Sequence, residues 1–209
     1  MQRQHWWLSA GLLALFMLTL LGLWWFQQQA VRPFITSEDA IDYWQAEGVA
    51  ERLAPLWQQL PPTELPTLMH FWNPDCLCNQ VSQRHYSSLL AQFDSTQLRV
   101  VVVAAHTSSE QQRRELKALN PDRLQVITAQ PGLQLPSSPA LALFHASGEL
   151  AYFGAYGFGA LCTVADDQLF PTLVRRLQQE PYGPFMSVAG DGCFCAWPND
   201  DASAAAGAP

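Results

Sequence analysis

The sequence predicts an α/β domain with a mostly parallel sheet and an antiparallel edge, carried behind one apolar helix of membrane length. Three observations lead there. Trp6 to Phe26 contains no charged residue. Short β-branched runs then alternate with segments of helical period, and the last two strand-like runs are joined by Ser147-Gly148. Alternation of that kind implies parallel pairing through helical crossovers, and a closing hairpin adds antiparallel strands.

At about 1.5 Å per residue the run Trp6–Phe26 is long enough to cross a ~30 Å hydrocarbon layer. Trp6, Trp7, Trp24 and Trp25 stand at its two edges, where indoles favour the headgroup region. A cleaved signal peptide is the competing reading. Its apolar region is shorter, about 7–15 residues, and `FQQQAVRP` offers no small-x-small cleavage site. The expectation is an uncleaved anchor, with residues 1–30 forming a cytoplasmic stub and a membrane span. Arg3 and Arg32 flank the span almost equally, so the positive-inside bias is slight. All five cysteines lie beyond the span, which suits an oxidising compartment. In a bacterium that places the C-terminal domain in the periplasm, on a single-pass inner-membrane anchor.

The elements follow in order. `SEDAIDYWQAEGVAERLAPLWQQL` has helical spacing, with Ser37 as a cap and Glu38 and Asp39 at the positive end of the dipole. It forms a lead-in over 31–63, stopped by `PPTELP`. `TLMHFW` (67–72) is a short buried strand, and 78–93 has apolar residues near helical spacing. `LRVVVVAA` (98–105) is a β-branched run covered on both faces. A Ser-capped helix over 108–119 and a strand over 124–129 come next. Strands 139–146 and 149–155 form the hairpin. A helix over 165–180 has acidic residues early and arginines late. The segment 181–209 shows no period, and its Ala/Gly/Ser/Pro end predicts disorder.

The formal charge is −7, and −8 once Arg3 is set apart with the anchor. Nucleic-acid binding needs a basic footprint, so it is excluded as a function class. Nothing in the sequence indicates an oligomeric state.

The order β-α-β-α-β-β-α over 64–180, with a cysteine at the first strand-to-helix junction, resembles the thioredoxin-like superfamily. `FWNPDC` is similar to the thioredoxin segment in which Phe-Trp precedes the nucleophilic cysteine by three residues; here these are Phe71, Trp72 and Cys76. `SPALALFHASGELAYFGA` is similar to the segment that opens on a cis-proline and ends in Val-Gly-Ala. The resemblance implies a three-layer α/β/α fold with a mixed sheet. It implies Pro139 as the cis-proline, and Trp72, Ser138, Pro139 and Gly154 as the substrate groove. The whole layout resembles membrane-anchored thioredoxin-like proteins of Gram-negative bacteria. Three departures stand out. The family's Cys-x-x-Cys is here Cys76-Leu77-Cys78-Asn79, His70 replaces a buried aspartate behind the cysteines, and `AYGFGALCT` adds Cys162.

Cys76 opens a helix, where the dipole and free amides stabilise a thiolate, although the neighbouring Asp75 opposes this. On a helix, residues i and i+2 point about 200° apart, so an intact first turn would hold Cys76 and Cys78 apart and a 76–78 bond would need unwinding. A second Cys-x-Cys, Cys193 and Cys195, follows the last helix. A flexible link of about a dozen residues reaches about 20 Å, so a bond from one tail cysteine to Cys76, Cys78 or Cys162 is expected. His70 is either a core histidine or, from its family position, a proton shuttle. His106 ends a parallel strand and is a weaker candidate; His85 and His145 read as surface positions.

Three functions fit. The first is thiol–disulfide exchange with a protein partner, with Cys76, Cys78 and His70 as the chemical residues and Cys162, Cys193 or Cys195 resolving. The second is copper handling through Cys76, Cys78 and Cys162, since thiolates suit Cu(I). The third is a thioredoxin-like adaptor without turnover. Exchange needs no cofactor.

Overall fold

The computed structural model of the chain describes residues 2–36, 44–159 and 168–198. Helix α1 (Gln2–Ala30) leads into the short strand β1 (Val31–Pro33). Within α1 the large apolar side chains from Leu12 to Trp25 are exposed on all sides. Among the described residues no helix is long and apolar enough to cross a membrane. The part of α1 whose side chains are described, residues 9–25, rises only about 26 Å at about 1.5 Å per residue.

The rest is a mixed α/β fold around a six-stranded sheet in the order β4-β3-β2-β5-β6-β7. Strands β2 (Thr67–Trp72), β3 (Arg99–Ala104) and β4 (Leu124–Thr128) are parallel. Helices α3 (Cys78–Gln92) and α4 (Glu110–Ala118) make the crossovers between them. Strands β5 (Ala140–Phe144) and β6 (Leu150–Ala155) form the hairpin, and β5 runs antiparallel to β2. The Ser147-Gly148 turn is present, with the Gly148 amide donating to His145 O at 3.0 Å. Ser109 caps α4 in a reciprocal capping box with Gln112. Helix α5 is Leu169–Leu177; residues 160–167, where the sequence pattern begins this helix, lie outside the described residues, as do Ser37, Glu38 and Asp39.

Alternation along each strand assigns the two faces. Met69, Phe71, Val101, Val103, Ala140 and Ala142 pack toward α2 (Ala46–Trp57), which turns Val49, Leu53 and Leu56 inward. Leu68, Val100, Val102, Leu141 and Leu143 pack toward α3, α4 and α5. The layers are therefore helix, sheet, helix. Continuous burial of β3 follows from its place between two parallel neighbours under both layers. In β6 the alternation breaks at Ala151, where a bulge shifts the register between Leu143 and Phe144.

The largest departure from sequence expectation lies after residue 180. The tail is not irregular as far as Pro198: β7 (Phe185–Ser187) joins the sheet parallel to β6, and β8 (Asp191–Cys193) pairs antiparallel with β1. Phe34, Phe194 and Trp197 enter the core on the α2 face. The packed unit thus runs beyond 64–180 at both ends. Strands of three residues carry no readable period, and their partners are distant in sequence. Gly154 marks where β7 meets the sheet. Its φ is +152°, and a Cβ there would meet the Ser187 carbonyl oxygen at 2.1 Å. Only a glycine allows that approach.

His70 lies on the opposite face, stacked on Tyr86 at 4.8 Å and edge-on to Tyr156. Its Nδ1 and the Tyr156 hydroxyl are 2.8 Å apart. Burial pushes the imidazole from 6.5 down to about 3, so it is neutral through the physiological range. Of the two expectations for His70, the packing describes a core histidine, buried and in contact with the Tyr156 hydroxyl. His85 is buried too, stacked near Tyr156 rather than at the surface.

Two outcomes follow from this packing. Gly154→Ala should displace β7 and lower the full-length protein's denaturation midpoint by an amount equivalent to several kcal/mol, whereas a wild-type midpoint would mean that β7 does not sit against β6. Because the folded pKa of His70 is depressed, its stabilisation is complete above about pH 6.5 and is lost as pH falls toward 3, at up to about 1.4 kcal/mol per pH unit. Denaturant midpoints measured across pH 4–7 should flatten in His70→Leu. An unchanged slope would place the acid sensitivity elsewhere.

Candidate functional site: a four-cysteine clasp

Three segments meet beside the C-terminal end of β2. The first is the loop after Trp72. The Asn73 side-chain oxygen accepts from the Asp75 amide at 3.1 Å, and the Asn73 carbonyl accepts from the Cys76 amide at 3.1 Å. This Asx turn ends the strand and presents Cys76 ahead of α3, whose first residue is Cys78. The first turn is thus irregular at the motif: Cys76 is outside the helix, Cys76 and Cys78 are not bonded to each other, and the sulfurs of Cys76, Cys78 and Cys195 all lie within 4.8 Å of one another. Asn79, standing where the resemblance would put a resolving cysteine, is in the first turn of α3. Its side-chain amide donates to the Asn73 carbonyl.

The second segment is the cis Ser138–Pro139 bond that opens β5, in the place the resemblance implies. The third is the tail. Ser138 N donates to Cys195 O and Cys195 N donates to Ser138 O, both at 2.8 Å, an antiparallel bridge isolated from the named strands. Asn73 Nδ2 donates to Ala196 O at 3.4 Å. Trp197, 2 % exposed, packs edge-on against Phe71 at 6.2 Å. Its indole N–H has no acceptor among the described residues, so packing alone retains it.

Cys76 is bonded to Cys195 and Cys78 to Cys193, with sulfur–sulfur distances of 2.06 and 2.09 Å. Both tail cysteines are used, not one. The outer bond closes a sequence separation of 119 residues and the inner one 115. Closing a loop that long removes about 5 kcal/mol of denatured-state entropy. The inner bond, added to the outer, closes a ring of only a few residues and contributes about 2 kcal/mol on the same reckoning. A staple alone would not need it.

Cys76 is 3 % exposed, Cys78 6 % and Cys193 7 %, while Cys195 is half-buried. Cys195 is thus the member of the cluster open to an approaching molecule. The Cys76 sulfur lies 3.5 Å from the Ser138 carbonyl oxygen. On reduction that carbonyl is placed to accept a hydrogen bond from the Cys76 thiol.

The structure brings Cys76, Cys78, Cys193, Cys195, Ser138 and Pro139 together. Trp72, half-buried, packs on the opposite core from the tail. Gly154 lies under β7 instead of lining an open groove. Of the copper set Cys76, Cys78 and Cys162, the last lies outside the described residues; among the described residues the sulfurs beside Cys76 and Cys78 are those of Cys195 and Cys193. His106 is half-buried at the end of β3, and the half-buried His145 has its Nε2 3.0 Å from Tyr182 O. Sequence reasoning missed Asn73 and Trp197. The two aromatics of `CFCAWP`, Phe194 and Trp197, ahead of a small-residue end, were the available signal for the second.

No curated protein matches the chain. Among solved structures it is similar to an uncharacterized conserved protein from Geobacillus kaustophilus, with TM-score 0.50 and 10 % identity over 65 % of this chain and 78 % of the other. A thioredoxin-like superfamily protein gives TM-score 0.41 and 15 % identity over 58 % and 85 %. A thiol-disulfide isomerase from Corynebacterium glutamicum gives 0.37 and 16 % over 57 % and 84 %. Likeness at these identities concerns fold alone. Residues 45–197 match the family model described as a domain of unknown function, DUF6436, a span that takes in both Cys-x-Cys pairs, and the chain belongs to that family.

Proposed function

We propose that this protein is a membrane-tethered, periplasmic thiol–disulfide exchange protein acting through Cys76, with Cys195 as the resolving thiol. The observation that carries the reading is the bond between Cys76, at the mouth of α3, and Cys195, held by backbone beside cis-Pro139. In the reduced form the Cys76 thiolate attacks a partner protein's disulfide. One partner sulfur leaves as a thiolate and takes a proton, and a mixed disulfide forms. The Cys195 thiolate then attacks the Cys76 sulfur, the second partner thiol leaves, and the Cys76–Cys195 bond is restored. The partner gains two electrons and this chain loses two; a dithiol donor returns them. The α1 helix, apolar on all its described faces, supports the tether, and two disulfides support an oxidising compartment.

In purified full-length protein, Cys195→Ser should accumulate the mixed disulfide and cut turnover of a disulfide substrate at least about tenfold, since an external thiol must replace a tethered one of about millimolar effective concentration. Cys76→Ser should abolish turnover. Full activity in Cys76→Ser would overturn the assignment of the nucleophile. After reduction, a membrane-impermeant thiol reagent should label the protein in spheroplasts, and labelling only after lysis would reverse the topology.

A further inference from the structure

We propose that the four cysteines, once reduced, form a binding site for one thiophilic d10 cation, Zn2+ or Cu+, ligated by Cys76, Cys78, Cys193 and Cys195. This goes beyond disulfide exchange, which needs one bond of the two, and it does not depend on turnover.

The sulfurs are already gathered. Three lie within 4.8 Å of one another, and the fourth is bonded to Cys78. A tetrahedral ion with metal–sulfur distances of about 2.3 Å needs its sulfurs about 3.8 Å apart. Each bonded pair must therefore open by about 1.7 Å, and the widest gap among Cys76, Cys78 and Cys195 close by about 1 Å. With Cα–Cα distances of 5.8 and 5.5 Å, rotation about the cysteine side-chain bonds supplies movements of that size.

The cage does not rely on its disulfides. Tail and motif are joined by the Ser138–Cys195 bridge, the β1–β8 ladder, the Gly159–Gly192 bridge and the buried Trp197. Reduction cuts two sulfur bonds and leaves these contacts in place, so the thiols stay beside one another. Three of them are buried, and the Ser138 carbonyl lies 3.5 Å from the Cys76 sulfur. Four free thiols there would have little to bond to. A soft cation satisfies all four. The one-residue spacing, short for two ligands on one helix, is no obstacle because Cys76 lies outside α3.

The chemistry balances. Each disulfide takes two electrons and two protons from a dithiol donor. Zn2+ then displaces four protons from four thiols, giving a tetrathiolate of charge −2. Two equivalents of a disulfide oxidant, each taking two electrons and leaving as a dithiol, reverse the sequence and free the ion. Metal and disulfides are alternative occupants of the same four atoms.

The test uses full-length protein, reduced with a phosphine and kept anaerobic, titrated separately with Zn2+ and with Cu+ against competing chelators. Co2+ serves as the spectroscopic substitute for Zn2+. The expected result is one ion per chain, tetrahedral sulfur-to-cobalt charge-transfer bands, and protection of four thiols from alkylation. Cys193→Ser/Cys195→Ser should lower affinity by at least about a hundredfold, since half the ligands are gone. Cys162→Ala should bind as wild type and controls for folding. Equal affinity in the double variant, no protected thiols, or loss of binding in Cys162→Ala would overturn the site. More than one Cu+ per chain would replace the single-ion site by a copper–thiolate cluster and overturn it likewise. The Zn2+ and Cu+ affinities decide which ion the site prefers.

Discussion

The paired backbone hydrogen bonds between Ser138 and Cys195 are the contact on which the geometry of the site depends. They fix Cys195 against the start of β5, opposite the loop that carries Cys76. An extended chain returns its side chains to the same face every second residue, so Cys193 is aimed the same way as Cys195. The motif strand ends in an Asx turn, which brings Cys76 out of the helix and leaves Cys78 at its first position. The two Cys-x-Cys segments then meet in antiparallel sense, first with last and inner with inner. Without the bridge at Ser138 neither pairing would be specified.

What the sequence made legible and what it hid divide along a physical line. Strands β2 to β6 and helices α3 and α4 announce themselves by period, capping or β-branched density, because each is long enough to show one face. The cis bond at Pro139 and the cysteine at the β2–α3 junction followed from a resemblance in two short segments. The hidden part consists of strands β1, β7 and β8, three residues each, stabilised by partners more than a hundred residues away or by a close approach at Gly154. The local sequence there reads as a plain tail. The exit of Cys76 from the helix was hidden for a related reason: the Asx turn at Asn73 rests on one side-chain hydrogen bond and leaves no period in the sequence.

His70 illustrates how position and environment part. Its place behind the cysteines matches that of a titrating group in the resembling family, yet alternation in β2 turns it toward Tyr86 and Tyr156, where burial keeps it neutral. Phe71, one residue on, faces the tail and packs on Trp197. A single strand thus supports the clasp with one face and anchors the helix layer with the other.

The tail's anchorage decides what kind of chemistry the clasp allows. Phe194 and Trp197 are held in the core by burial, worth about 3 kcal/mol or more for a residue of that size. That stabilisation does not depend on the oxidation state of the sulfurs, so breaking the disulfides does not by itself release the segment. A freely tethered thiol would spend most of its time away from Cys76; a thiol pinned by Ser138 does not. Its effective concentration exceeds that of a flexible linker, because the closure entropy has been met by other contacts. The same pinning fills the backbone edge beside cis-Pro139 with the chain's own residues. A dithiol donor can reach the half-buried Cys195 of the oxidised pair, whereas a partner disulfide reaches Cys76 only by displacing Trp197 and its neighbours, at the full cost of exposing them. Selectivity at this site follows from occupation by the tail more than from an open groove.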